Sequence, residues 1–522
     1  MIPETGSFWQ RNKERLLTGG LFLFLAYSIV RNVAKAAHRP FWFDELCTWI
    51  LAHQTDMASL WKALIHAADS HPPPFYLVEK FFSHIISNDE IAFRMPSILG
   101  FCCVVWCLFV WLRRRHDSTV AFFACLIPFV TALYATYATE ARGYSVVAAC
   151  LSIALVAYQH APAARWMFLL GLSLAGAESS HFYSIFMMAP FFLAEAIFFL
   201  KTKSLRLPVW IALACGFVPF IAFWPILAGI KGYYSEHAWM HPTILGTLRA
   251  YSWVFGIYPN TSGASFLSQA VWLLLTAGAL VLAFLFIYRS LAGDPEKDSS
   301  FHESVLIAGF LLLPLVLYVV IKVTHGVLSA RYLLPVMFGA VLAAGRGLSH
   351  LSKKSMVLIG VLLCVSIASQ EAAFWISFYG DYQLGFTRPR PVQDLVAKVR
   401  HSDLAVVVSD GHDYLESDHY ATPAWKQRLT FLADPSGAMA FGRTDFNDKE
   451  LLSLRNFATL RVFEYARFKD SHSQFLLYSN PTPENNPDWF VLRLLSDGWS
   501  LQKLATDGNS SVYLVRSSKE IH

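Results

Sequence analysis

The stretch "TGGLFLFLAYSIVRNVAKAAHRPFWFDELCTW", residues 18–49, joins an apolar run to two adjacent carboxylates, Asp44 and Glu45, set among aromatics. Its first part, about 18–37, has the apolar length of a helix that crosses a bilayer, which takes roughly 20 residues. A charge beside hydrocarbon is expensive, so carboxylates at that point are either interfacial anchors or working groups.

The rest of the chain places that run in a membrane protein. Of the 522 residues, 55% are hydrophobic and 15% charged, and the mean hydropathy is +0.42. Soluble domains average about 45–50% apolar and about 25% charged. Eleven apolar windows fall at about 18–37, 91–112, 119–136, 141–159, 165–178, 182–200, 207–229, 268–288, 304–323, 332–349 and 355–375. The fifth is short and the third and fourth nearly touch, which brackets the count between ten and twelve spans.

Basic residues orient these spans. Arg11, Lys13 and Arg15 precede the first window; Arg113, Arg114 and Arg115 follow the second; Lys201, Lys203 and Arg206 follow the sixth. Arg289 and Lys297 follow the eighth, and Lys353 and Lys354 the tenth. The amino terminus and even loops are therefore expected in the cytosol, and the odd loops and the tail outside. "AKA" at 34–36 resembles a signal-peptide cleavage site, but Arg31 and Lys35 sit badly in front of one.

Seven of the eight cysteines lie within spans and Cys47 in the first outer loop, so no disulfide framework or C-x-x-C metal site is expected. The net charge of +5 suits basic cytoplasmic loops and gives no reason to expect a nucleic-acid partner. No tandem repeat or low-complexity run is present, and "GDPEKDSS" at 293–300 reads as a polar cytoplasmic loop.

Three regions follow: a transmembrane domain over 1–375, a linker over 376–396 and an outer α/β domain over 397–522. Within the first, the outer loop 38–90 carries apolar residues at helical spacing, Leu46, Trp49, Ile50, Leu60, Trp61, Leu64 and Ile65. It reads as interfacial helices, a folded platform interrupted by the prolines of "HPPPFYLVEKFFSHIIS". In the tail, "LAVVVSD", "RLTFLADP", "SQFLLYSN" and "SVYLVRS" read as strands, with helical stretches "DYLESDHYA", "DKELLSLRNFA" and "WFVLRLLSDG" between them. No G-x-G-x-x-G or P-loop supports a nucleotide site there.

The unusual polar residues of the membrane half all fall in odd loops. Asp44, Glu45 and His71 lie in the first; Glu140, Arg142 and Tyr144 in "YATEARGY", 137–144; Glu178 and His181 in "ESSHFY", 178–183; Lys322, His325 and Arg331 in "KVTHGVLSARY", 322–332. Short loops need polar residues and long cations snorkel, so each cluster alone has an ordinary structural reading. Glu178 and His181 read as structural on that ground. Arg142 and Arg331 run against the charge rule, and an anion such as phosphate explains their retention, since guanidinium binds its oxygens as a fork. Asp44 reads as an anchor or a base, because adjacent carboxylates can raise one pKa. Glu140 either pairs with Arg142 structurally or orients it toward the anion. The sequons at Asn260 and Asn509 are short and unspecific.

In order along the chain, "FDE" after the first span, "HPPPFY", "EARGY" and "SARYLLP" at 329–335 resemble the GT-C membrane glycosyltransferases. The branch is that of bacterial proteins related to protein O-mannosyltransferases and the lipid A aminoarabinose transferase, and the resemblance covers about 1–350. It implies a sugar donor on polyprenyl phosphate and transfer with inversion on the outer face of the cell inner membrane. Asp44 falls on the family's general base, and His71, Arg142 and Arg331 would lie near the donor phosphate. Glu45, Glu140 and Tyr144 join them as expected substrate-binding residues. Some relatives use a divalent metal and others none; Asp44, Glu45 and Asp69 lack a spacing that compels one, so the metal stays open. Membrane lipids are the other expected partners, with the envelope acceptor (lipid A, polysaccharide, lipid or protein hydroxyl) unnamed. The alternatives are a transporter, which would keep its charges near the bilayer midplane in repeated halves, and a membrane anchor presenting the tail as a binding module. The tail is also the natural candidate for selecting the acceptor.

Overall fold

The computed structural model describes residues 8–234, 243–254, 266–292, 301–324, 329–383, 391–399, 403–481 and 487–517. The expected cytoplasmic loop 293–300 and the sequon at Asn260 lie outside them. Two compact units form: Met1–Arg39, Leu77–Trp224 and His241–Phe386 make the first, and Pro40–Tyr76, Pro225–Met240 and Thr387–His522 the second.

Every apolar window holds helix, but not every helix is long enough to span. Among the described residues five are: Asn12–His38, Asp89–Arg113, Ser184–Thr202, Leu273–Ala292 and Lys353–Asp381. Two more count if Leu207–Ala222 followed by Trp224–Tyr234, and Phe301–Leu311 bent by 57° into Leu313–Thr324, are each one span. Among the described residues fewer helices than windows reach that length, because hydropathy runs continue through breaks that the backbone cannot ignore. Proline lacks an amide donor and clashes with the preceding turn. Pro128 sits in a 3-10 turn, Ile127–Val130, that splits the third window between Ser118–Ala124 and Ala132–Tyr137. The fourth, fifth and tenth windows hold Tyr144–Gln159, Ala164–Glu178 and Val336–Leu348, each under 18 residues.

The core of the first unit runs between these helices. Val104, Val105 and Leu108 of Met95–Arg113 belong to one buried cluster with Val147, Leu151 and Leu155 of Tyr144–Gln159. The contact is close because Gly100 has no side chain: a Cβ there would lie 2.8 Å from the Ser145 carbonyl oxygen. Polar groups tie the helix ends in two sets. In one, Arg115 forks onto Glu303 at 2.9 and 2.5 Å, Arg346 donates to Ser304 Oγ at 2.6 Å, and Arg206 clasps Glu195, which also accepts from Tyr158 at 2.6 Å. In the other, Arg39 donates to the Thr139 carbonyl at 2.7 Å, Lys35 to that of Ala135 at 3.1 Å, and Arg94 to those of Ala36 and Arg39 at 2.9 and 2.6 Å. Residues of the basic loops populate the first set, and the turn before "EARGY" belongs to the second.

The second unit centres on a six-stranded sheet of β1 Val406–Val408, β2 Leu429–Ala433, β3 Val462–Glu464, β4 Gln474–Ser479, β5 Trp499–Asp507 and β6 Ser510–Ser517, ordered β3-β2-β1-β4-β6-β5. The first four run parallel and β6 is antiparallel to β4 and β5. All four strands expected from the sequence are present. The outer-loop helices Phe43–Ala52 and Met57–Ile65 belong to the same unit, the latter capped by Asp56, which accepts from Ser59 N–H at 2.7 Å. They fold with the tail, not apart from it. Phe41 N–H donates to Tyr420 Oη at 2.8 Å, Gln54 to the Phe457 carbonyl at 3.0 Å, and Ser453 Oγ to the His66 carbonyl at 2.6 Å. Trp224–Tyr234 joins them through Tyr234 Oη, which donates to the Ala67 carbonyl at 3.1 Å. Gly229 permits this approach, since a Cβ there would fall 2.2 Å from the Ile65 carbonyl oxygen.

Candidate active site

The expected residues fall in both units, and each group is built locally. In the first unit, helix Tyr144–Gln159 starts straight after "EARG", so Glu140 and Arg142 occupy the turn that feeds it. All three of Glu140, Arg142 and Tyr144 are buried. Ser97 Oγ donates to the Arg142 carbonyl at 3.1 Å, and Ser145 Oγ to the Tyr137 carbonyl at 2.7 Å, which pins this turn to its neighbours. Arg331 arrives on a 3-10 turn, Ala330–Leu333, with its guanidinium 5.3 Å from the Tyr144 ring centre. That distance is within cation–π range.

A small pocket is lined by Tyr144, Val147, His181, Met187, Arg331, Leu334 and Pro335. The structure thus brings Tyr144 and Arg331 together and adds His181, whose "ESSHFY" setting reads as structural by sequence alone. Its ring lies 5.2 Å from that of Tyr144 and 5.3 Å from that of Tyr332, and Tyr332 stacks on Tyr183 at 4.3 Å and 7°. Tyr183 N–H donates to His181 Nδ1 at 3.1 Å. A neutral imidazole that accepts at Nδ1 carries its proton on Nε2, so His181 is set as a donor through that atom. Glu178 is buried and accepts from Ser184 Oγ at 2.5 Å. Lys322 is exposed at the end of Leu313–Thr324, and His325 lies outside the described residues.

In the second unit Asp44 and Glu45 open helix Phe43–Ala52, where the unpaired amides and helix dipole favour negative charge. Glu45, expected to bind substrate, is buried and its Oε2 accepts from Trp42 N–H at 3.3 Å, the return bond of a helix-capping box. Asp44 is half-buried. His71 is fully buried, with Nδ1 3.7 Å from Asp69 Oδ1 and its ring 4.7 Å from that of Phe75. Pro73 begins helix Pro73–Ile85, and His71 lies two residues ahead of it.

One group near Asp44 is unexpected. His412, on helix Gly411–His419, lies with its ring 4.6 Å from that of Phe43 and its Nδ1 3.3 Å from Asp410 Oδ1. Burial opposes its charge. The hydrogen bond and charge of Asp410 outweigh that, aided by Asp44 and Glu450, and His412 is raised to about 9. No periodicity or motif links residue 412 to the first loop, so only the fold exposes the pairing. Among the described residues no group of three or more His, Cys, Asp or Glu side chains is arranged to hold a metal ion. Asp44, Glu45 and Asp69 are not arranged as such a group.

Residues 70–228 match the family model described as dolichyl-phosphate-mannose-protein mannosyltransferase. Among solved structures, the chain is similar to ArnT from Cupriavidus metallidurans in the apo state, at 12% identity and TM-score 0.56 over 95% of this chain and 98% of that one. It is also similar to the same protein bound to undecaprenyl phosphate, at 14% identity and TM-score 0.54 over the same shares. At such identities the likeness establishes the fold. Among curated proteins nothing matches the chain. The resemblance to the GT-C membrane glycosyltransferases related to protein O-mannosyltransferases holds on these findings.

Proposed function

We propose that the protein is an inverting glycosyltransferase that moves a hexose or pentose from a polyprenyl-phosphate donor to a hydroxyl of an envelope acceptor, on the outer face of the bacterial inner membrane. The observation that carries this reading is the pocket where Arg331 and His181 face Tyr144, in a chain with the fold of ArnT, itself solved with undecaprenyl phosphate.

The reaction needs two services. The bond from the anomeric carbon to the phosphate oxygen breaks as the acceptor oxygen bonds to that carbon from the opposite side. The phosphate leaves with the electron pair, and cationic donors aimed at it supply a large part of catalysis. Arg331 and Arg142 take this role, with Glu140 orienting Arg142, His181 Nε2–H as a neutral donor and Tyr144 as the aromatic wall. His71, braced by Asp69, serves the donor as well. The acceptor hydroxyl loses its proton to Asp44, which stands in the first turn of its helix.

The test is direct. Full-length protein in nanodiscs is given synthetic undecaprenyl-phosphate mannose, glucose, galactose or arabinose, with lipid A as one acceptor, and release of undecaprenyl phosphate is followed. In parallel, mass spectrometry compares envelope glycolipids and glycoproteins with and without the gene, expecting one absent hexose or pentose. An unchanged envelope together with no turnover of any donor would sink the assignment.

A further inference from the structure

We infer that the recess between Asn12–His38 and Asp89–Arg113, at the end where Arg15 and Arg113 stand, binds an anionic phospholipid. The two guanidinium groups hold its phosphodiester, and its acyl chains lie along the apolar helix faces below. The site is separate from the candidate active site and independent of the activity proposed for it.

One helix sets the separation. Ser97, near the start of Met95–Arg113, donates to the Arg142 carbonyl, while Arg113 closes the same helix. At about 1.5 Å per residue these two positions lie about 24 Å apart along the axis. A headgroup on Arg113 is therefore out of reach of Arg142.

The recess holds about 370 Å³ and is lined by Glu14, Arg15, Thr18, Gly19 and Arg113. A Cβ on Gly19 would meet no atom within 4 Å, so the floor is open. Neighbouring cations are already engaged, Lys13 with Asp117 at 3.0 Å and Arg115 with Glu303 at 2.5 Å. Arg113 Nη2 stands 3.5 Å from Glu14 Oε2, and its Nη1 donates to Thr18 Oγ1 at 3.3 Å. Both contacts are long and exposed, hence weak, and they leave other donors of the five on that guanidinium for a ligand. Among the described residues no ion pair engages Arg15. Two arginines against one glutamate leave the lining with one net positive charge. That is the complement of a phosphodiester, whose oxygens guanidinium groups bind as forks.

What lies below the recess chooses a lipid over a free anion. Positions three, four or seven apart share a helix face. On the first helix Leu16 and Leu23 flank Gly19 on its face and are 76% and 72% exposed, and Phe22, on the face of Arg15, is 66% exposed. On the second, Trp106 stands seven residues before Arg113 and is 37% exposed. Each arginine thus tops an apolar strip that hydrocarbon can cover. A free phosphate would satisfy the arginines alone, whereas a phospholipid satisfies both parts. Basic pockets between transmembrane helices hold anionic headgroups in this way.

The test titrates full-length protein in dodecyl maltoside with palmitoyl-oleoyl phosphatidylglycerol, or with phosphatidylcholine of the same chains, and counts bound lipid by native mass spectrometry. The wild type is expected to take up a first phosphatidylglycerol more tightly than phosphatidylcholine. Arg15→Gln or Arg113→Gln weakens that step about fivefold, and the double variant about thirtyfold, the scale of one surface cation each. Gly19→Leu keeps both arginines and favours the helix, but it fills the recess and abolishes the tight step. Millimolar inorganic phosphate leaves the lipid bound. Equal affinity for the two lipids, or wild-type affinity in the double variant, overturns the inference. So does wild-type affinity in Gly19→Leu, which would mean charge attraction without a seat, and so does displacement by inorganic phosphate, which would mark a free-anion site. Should the double variant fail to accumulate, the single variants and Gly19→Leu decide.

Discussion

The helical unit and the sheet-bearing unit handle charge in opposite ways. The first keeps it scarce and pairs it at helix ends: Glu195 with Arg206, Glu303 with Arg115, Arg39 with a backbone carbonyl. The second gathers Asp413 and Glu416 beside Asp410 and His412. The first arrangement fixes helices; the second leaves groups poised to take up or release protons near neutral pH. Charge pairing and titration near neutral pH thereby fall in different parts of the chain.

The sharpest way to break this contrast is to disarm each unit's working groups. Asp44→Asn is expected to lower transfer by about 10²–10⁴, the range for losing a positioned base, with unchanged expression and melting temperature. Arg331→Gln is expected to cost about 10²–10³ in kcat through the lost stabilisation of the departing phosphate. Both are read as turnover of the synthetic donors in nanodiscs. If Asp44→Asn folded normally and kept its transfer rate, the proton chemistry would not lie where it is placed here.

The next effect concerns stability in the helical unit. Glu195 is fully buried and its charge is met by Arg206 and the Tyr158 hydroxyl. Arg206→Met strands that carboxylate, and breaking a buried pair from one side costs about 3–5 kcal/mol. The double variant Arg206→Met with Glu195→Gln should recover most of it, as an uncharged amide needs no counter-ion. Thermal unfolding in detergent distinguishes the two, and equal losses in both would mean that the pair is not the anchor argued for.

How far these features could be read in advance follows from their range along the chain. The four expected strands were legible as short apolar runs such as "VVV", the first three of them closed by Asp or Asn turns. β3 was not, having three residues and no alternation, nor was β5, whose polar "SLQK" suits an edge strand. The spans were legible as windows and misleading as helices, since hydropathy does not register Pro128 or the bend after Leu311. Arg142 and Arg331 stood out by opposing the charge rule and Tyr144 by closing "EARGY", whereas His181 looked like any loop histidine until the fold set it beside Tyr144 and Arg331. His412 carried no local signal at all. Long-range pairing is decided by packing, and packing is not written in any one stretch.

A smaller effect tests the helix contact beneath "EARGY". Gly100→Ala puts a methyl where 2.8 Å separates it from the Ser145 carbonyl oxygen, which no backbone atom can yield without movement. The expected cost is about 1–3 kcal/mol, typical of an overpacked contact. Because Ser145 follows Tyr144 directly, donor binding should weaken too, read as a raised KM. A stability loss with KM unchanged would uncouple the helix seam from the pocket.

The mildest effect is the pH response of the sheet unit, and its sign follows from the groups that stay protonated. Burial first, and then the charges of neighbouring carboxylates, raises Asp413 to about 6 and Asp448 to about 7; Asp418 reaches about 6 by burial against the pull of Lys426. From about pH 4 upward the unfolded chain has released protons that these groups still hold when folded. Stability therefore falls as pH rises from about 4 to 7. His412 adds in the same direction: its raised folded value contributes stability that is complete below about 6.5 and is lost as pH passes through about 9. Asp410 and Asp434, held low in spite of burial by His412 and by Arg493, act oppositely only below about pH 4. Hydrogen exchange on the full-length protein should show the amides of β1, β2 and β4 less protected at pH 8 than at pH 5.5 by about tenfold, after correction for intrinsic exchange. The amides of Tyr144–Gln159, which lie in the unit where charges are paired, should show no such dependence. Equal slopes in the two units would erase the distinction between them.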